Sequence, residues 1–181
     1  ASPSTVTIVA DSRNGTIIDV QSAPTVQLLS DATDRPTGYQ TSFTEMIGDD
    51  TRANAIKISS TNLTIEDGDS LNIESATVTL TNRPDGSDEI LFINGVLPSG
   101  IDVSEFNSET GELILSGTAS LASYRSAISL INYNNASNNP DESDRRIEVV
   151  LNDGSNDSNI AITTIVVNSL NEIFGTNASD T

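Results

Sequence analysis

Apolar residues along this chain recur in short alternating runs separated by polar turn residues, rather than in long amphipathic stripes. The clearest run is S-A-T-V-T-L-T at 75–81, where Ala76, Val78 and Leu80 share one face and threonines take the other. Side chains of a strand alternate between faces, so a period of two predicts a strand with one buried side. Similar runs predict strands at 5–9, 16–20, 25–29, 55–59, 62–65, 89–93, 112–116, 129–133, 145–151 and 161–168. Asn14-Gly15, Asp67-Gly68, Asp85-Gly86, Thr110-Gly111 and Asp153-Gly154 mark the reversals between runs. One stretch breaks the alternation: Ser120 precedes Leu121, Tyr124, Ala127 and Ile128. A serine cap followed by three- and four-residue apolar spacing predicts a short helical turn over 120–128. Short strands between regular turns describe an all-β sandwich or barrel.

Composition agrees with that reading. Hydrophobic residues make up only 35% of the 181 positions, and aromatic residues 4%, so Val, Ile and Leu must fill the core. The balance is Ser, Thr, Asn and Asp, whose side chains compete for backbone hydrogen bonds and favour turns over helices. The formal net charge is −18, from 8 Lys plus Arg against 26 Asp plus Glu. Neutralising phosphates needs clustered cations, so neither nucleic acid nor an anionic membrane surface is an expected partner. The acidity fits a well-solvated surface, and equally fits carboxylates that hold calcium. With no Cys and no His, the usual structural zinc sites, thiol nucleophiles and imidazole relays are excluded. No motif pairs two carboxylates for glycosidase chemistry, and an enzyme is not expected.

No run approaches the length needed to insert in a bilayer. The chain starts at Ala1 and its sole Met is Met46, which reads as a piece cut from a longer protein. Ala23-Pro24-Thr25-Val26 looks like the start of a domain on an edge strand. Expected organisation is therefore a leftover strand, hairpin or linker at 1–22, the module at 23–172, and a polar tail at 173–181.

Several phrases, in order, resemble the cadherin-like repeats found in tandem in giant bacterial surface adhesins and related extracellular proteins. They are Gly38-Tyr39-Gln40-Thr41-Ser42-Phe43-Thr44-Glu45, then Asp67-Gly68-Asp69, then Ile73 to Leu80. Gly117-Thr118-Ala119-Ser120-Leu121, then Ile131-Asn132-Tyr133-Asn134-Asn135 and Asn152-Asp153-Gly154 continue the match, which covers roughly 23–172. The resemblance implies an immunoglobulin- or cadherin-like Greek-key sandwich, outside the cell, serving adhesion as a repeated spacer with calcium at the junctions between adjacent modules. Partners would be those neighbouring modules and a cell-surface or matrix ligand. A carbohydrate- or peptide-binding module of a secreted protein is the competing reading.

Carried across by position, Glu45 matches the glutamate after the first strands, Asp67 and Asp69 the paired aspartates, and Asn72 the Asn that follows them. Asn168 and Asn171 match the linker, although Asn171-Glu172 runs into Ile173-Phe174 where Asn-Asp and a proline phrase are usual. Each residue also has a simpler reading, because Asp caps backbone donors in turns and Glu45 suits a solvated loop. Asp153 fits a hairpin turn better than a calcium loop and is a secondary metal candidate. Asp49-Asp50 and the group Asp141, Glu142 and Asp144 read as solvated charges. Lys57, the only lysine, alternates outward from Ile56 and Ile58, and Tyr39, Tyr124 and Tyr133 read as packing residues.

Overall fold

The computed structural model describes residues 21–28, 38–45 and 53–170. The expected strands at 5–9 and 16–20, Asp49-Asp50, Asn171 and the 173–181 tail lie outside the described residues. The chain is an all-β sandwich with one short helix. Its larger sheet contains β2 (Gly38–Thr44), β5 (Asn72–Leu80), β7 (Asp102–Val103), β8 (Glu112–Ser120), β10 (Arg145–Asn152) and β11 (Ala161–Asn168). These run in the order β2-β11-β10-β5-β8-β7, antiparallel except where β2 lies parallel to β11. A second sheet places β9 (Ile131–Asn135) between β3 (Ile56–Lys57) and β6 (Glu89–Ile93), and β1 (Thr25–Gln27) pairs with β4 (Thr64–Glu66).

Alternation explains the core. Val78, Leu80, Leu113, Leu115, Ile147, Val149, Leu151 and Ile165 point inward from four adjacent strands and are at most 2% exposed. Burying each such side chain contributes about 1.5–3 kcal/mol. The two larger sheets meet where the Phe43 ring packs edge-on against Tyr133, 5.5 Å between centroids. The Thr163 hydroxyl also donates across to the Ile58 carbonyl, at 2.5 Å. Tyr124 and Tyr133 are buried and Lys57 is exposed.

Helix α1 (Leu121–Ile128) forms as its spacing predicts, with the Ser123 N–H donating to the Ser120 hydroxyl oxygen as N-cap. It buries Tyr124, Ala127 and Ile128. No helix among the described residues is long and apolar enough to cross a membrane. Strands β2 and β7 are not apparent in the sequence pattern. In β2 only Phe43 is fully buried, and in β7 both residues are exposed, so neither carries an alternating apolar signal. Strand β8 extends past the expected Ser116 because one extra residue is absorbed in a bulge at Gly117, opposite the irregularity between Ile73 and Ser75. Asn159 replaces a missing ladder: its side-chain amide accepts from Val26 N–H at 2.8 Å and donates to Val26 O at 2.9 Å.

Candidate functional site

Strand directions sort the candidate ligands onto two opposite ends of the sandwich. At the first end, the β1–β4 pairing carries Ser22 to the turn Asp67-Gly68-Asp69. Asp67 Oδ1 accepts from the backbone amides of Asp69 at 3.1 Å and Ser70 at 3.2 Å, which closes the turn. Asp69 Oδ1 accepts both the Ser22 N–H, at 3.1 Å, and the Ser22 hydroxyl. A Cβ at position 68 would lie 3.0 Å from Ser22 Oγ, so a larger residue there needs Ser22 to give by a few tenths of an ångström. A cleft of about 170 Å³ opens beside this turn, lined by Ala23, Thr25, Glu66, Asp67 and Gly68. Asp67 Oδ2 is buried and has no hydrogen-bond partner.

Asn72 begins β5 at this same end and is exposed. Asp153 is also here, in the turn joining β10 to β11, but Oδ1 accepts from Ser155 N–H and Asn156 N–H, both at 2.7 Å. It does the work of a turn capper. The same turn reaches the segment ahead of β1, where Asn156 Nδ2 donates to Gln21 O at 3.5 Å.

The other end is built where β2 and β11 finish side by side. Glu45 is 8% exposed; its N–H donates to Asn168 O at 3.0 Å, and Oε2 accepts from Leu170 N–H at 2.9 Å. The Asn168 amide donates to Phe43 O at 3.3 Å. Glu142, expected to be merely solvated, accepts from the Ser169 hydroxyl at 2.5 Å and its N–H at 3.3 Å. Two carboxylates thus hold consecutive backbone amides just beyond β11. Among the described residues, no three acidic groups converge closely enough to hold a metal ion alone. The structure unites Asp67 with Asp69, and Glu45 with Asn168, and keeps the pairs apart.

Ser22 tunes the first end. Its hydroxyl, aided by its backbone amide, holds the Asp69 carboxyl below the ordinary 3.8 despite partial desolvation. A depressed carboxyl supports folding above its ordinary pKa, and that support is lost as pH falls through the lower, folded-state value. Ser22→Ala should therefore raise the Asp69 pKa toward 3.8 and weaken the acid dependence of stability. Carboxyl-carbon NMR titration checks this, and an unmoved Asp69 midpoint would show that Ser22 plays no such part.

A buried ionic cluster lies outside every residue singled out as a metal ligand. Arg145 and Glu89 are both 0% exposed. Arg145 donates from Nε to Glu89 Oε1 at 2.5 Å and from Nη2 to Asp85 Oδ2 at 2.6 Å. Nη1 donates to the carbonyls of Asp141, at 2.9 Å, and Ser143. Tyr133 donates to Glu89 Oε1 at 3.2 Å, and the Asn135 amide to Asp85 Oδ2 at 2.7 Å. Burial alone would lower the Arg145 pKa, but the Glu89 hydrogen bond and the surrounding negative charge hold it above its ordinary value. Burial drives the Tyr133 hydroxyl upward, and Glu89 beside it adds to the effect. Alternation contained the signal: Arg145 shares a face with Ile147, Val149 and Leu151, and Glu89 with Leu91. Arg145 on β10 bonding Glu89 on β6 makes the cluster a fastening between the two larger sheets. No family model matches this chain, and no curated protein and no solved structure matches it significantly.

Proposed function

We propose that this chain is a cadherin-like structural module of a large extracellular surface protein, acting as a spacer whose joints are stiffened by calcium. The observation that carries the reading is the division of its oxygen donors between the two ends of one sandwich. Asp67, Asp69 and Asn72 stand at one end, and Glu45 and Asn168 at the other. Calcium takes six to eight hard oxygen ligands, and among the described residues no three acidic side chains gather to supply them. Half a site at each end is the arrangement a tandem chain needs, since a neighbour supplies the remainder. Asp67 Oδ2, a buried carboxylate oxygen without a partner, fits a cation, and the donors are of the chemical type calcium prefers.

Asp67 and Asp69 would contribute to holding an ion at the first end, and Glu45 and Asn168 at the second. Bound calcium would neutralise carboxylates and tie adjoining modules together. The chain's own residues do the rest: Ser22 orients Asp69, Asp67 closes its turn, and Glu45 fixes the path beyond β11.

Binding to the folded state stabilises it by about 2.7 kcal/mol at a hundred times the dissociation constant, equivalent to roughly 5–10 °C in Tm. Millimolar calcium should raise the melting temperature against a chelator, magnesium should do so less, and Asp67→Asn with Asp69→Asn should shrink the difference. Scanning calorimetry provides the measurement. An identical transition with calcium and with chelator removes calcium from the proposal and leaves only the spacer.

A further inference from the structure

On another part of the sandwich, two strand edges border one open slot. Among the described residues, strand β6 has a neighbour, β9, on one side only. Phe92 lies opposite Asn132, Ile90 opposite Asn134, and Asn94 N–H donates to Leu130 O. In that register the backbone groups of Leu91 and Ile93 point away from β9. Strand β7 is the last of its sheet among the described residues, and Ser104 N–H donates to Ile114 O. Val103 consequently turns its backbone groups away from β8. Both edges line a single groove of about 370 Å³, walled by Leu91, Ile93, Val103, Phe106 and Leu113.

The geometry points to a docking slot for an extended segment of a partner protein, apolar at alternate positions and flanked by Lys or Arg. Strand addition obtains affinity from main-chain hydrogen bonds and specificity from pockets for alternate side chains, and this groove offers both. Its volume lies in the range of ligand sites and its lining is predominantly apolar. Charge selects the occupant. Asp102 and Glu105 are exposed along the β7 side, and the chain carries a net −18. A second copy would bring another −18 to the same edge, whereas a cationic segment is attracted to it. Charged side chains are a common guard on free edges, and acidic ones turn away copies of this chain while admitting a basic strand.

The test uses the full chain and a fluorescein-labelled K-V-T-I-T-V-K peptide, with E-V-T-I-T-V-E as its counterpart. Anisotropy should show saturable binding of the first, with the second weaker by at least about tenfold at low salt. Amide NMR signals of Leu91, Ile93, Val103 and Glu105 should move on binding. Ile93→Pro removes one edge donor without touching the β9 ladder, and Val103→Lys replaces an exposed apolar wall residue with a charge that repels the cationic peptide. Each should weaken binding about tenfold, the worth of one good hydrogen bond or ion contact, while circular dichroism stays unchanged. Absence of saturable binding, equal affinity for Val103→Lys, or shifts confined to another surface would overturn the proposal. A dimer in sedimentation that either variant dissolves would assign the slot to a second copy and overturn the choice of occupant.

Discussion

Replacing Arg145 with alanine is expected to destabilise the fold by about 3–5 kcal/mol, because it strands buried Glu89 and half-buried Asp85 without their cation. For a domain of this size the change corresponds to roughly 6–20 °C in Tm. Glu89 has little reserve: its Oε2 is already buried without a partner, so only Oε1 is satisfied, by Arg145, Tyr133 and Asn135. The carboxyl is pushed upward by burial and held down chiefly by Arg145. Removing that restraint leaves protonation as the way to relieve an unpaired charge. Urea denaturation of Arg145→Ala, Glu89→Gln and the double variant separates the effects. The double variant should lose far less than the sum, since the second change removes the orphaned charge created by the first. Simple additivity, or an Arg145→Ala loss below about 1 kcal/mol, would mean that the pair is not coupled as drawn.

The same cluster shows what the sequence pattern makes legible. Strands β6 and β11 begin and end where their alternation places them, and Ser120 caps the helix as its spacing predicts. Those elements are legible because each buries one regular face. Strand β2 hides because it is an edge strand with Phe43 as its one fully buried side chain, and only its pairing with β11 makes it extended. The ionic cluster escaped a different way. Charged residues in a strand are usually read as facing solvent, yet Arg145 stands in phase with Ile147, Val149 and Leu151. Phase, rather than residue type, decided its direction. Of the candidate ligands, Asp67 and Asp69 are separated only by Gly68, and their shared turn is legible locally. The meeting of Glu45 with Asn168 depends on a parallel pairing across 125 residues, as the Asn168–Phe43 contact illustrates, which no local pattern discloses.

The end of the module that carries Asn72 depends on the register between β5 and β8, and that makes Gly117 the second position of large effect. At φ +121° its backbone adopts a conformation that residues with a Cβ strongly resist. Space is lacking as well: a Cβ would lie 2.2 Å from Gly100 O, a backbone atom with no freedom to swing aside. The bulge at Gly117 sets the β8 exit that leads to Ser120 and α1, and the Tyr124 hydroxyl returns to bond Gly117 O at 2.8 Å. Burial lifts that hydroxyl's pKa to about 12, with Glu74 adding a smaller push. Gly117→Ala should therefore cost about 3 kcal/mol or more, from backbone strain and overpacking together. Tyr124→Phe, which removes the hydroxyl but keeps the ring, should cost only about 1–2 kcal/mol. Hydrogen exchange distinguishes a local effect from a global one. In Gly117→Ala, protection should fall first at the end of β8, in α1 and at Asn72 and Ile73, which pair with Ser120 and Ala119. Uniform loss across β10 and β11, or no loss at all, would separate the bulge from the turn that carries Asp67 and Asp69.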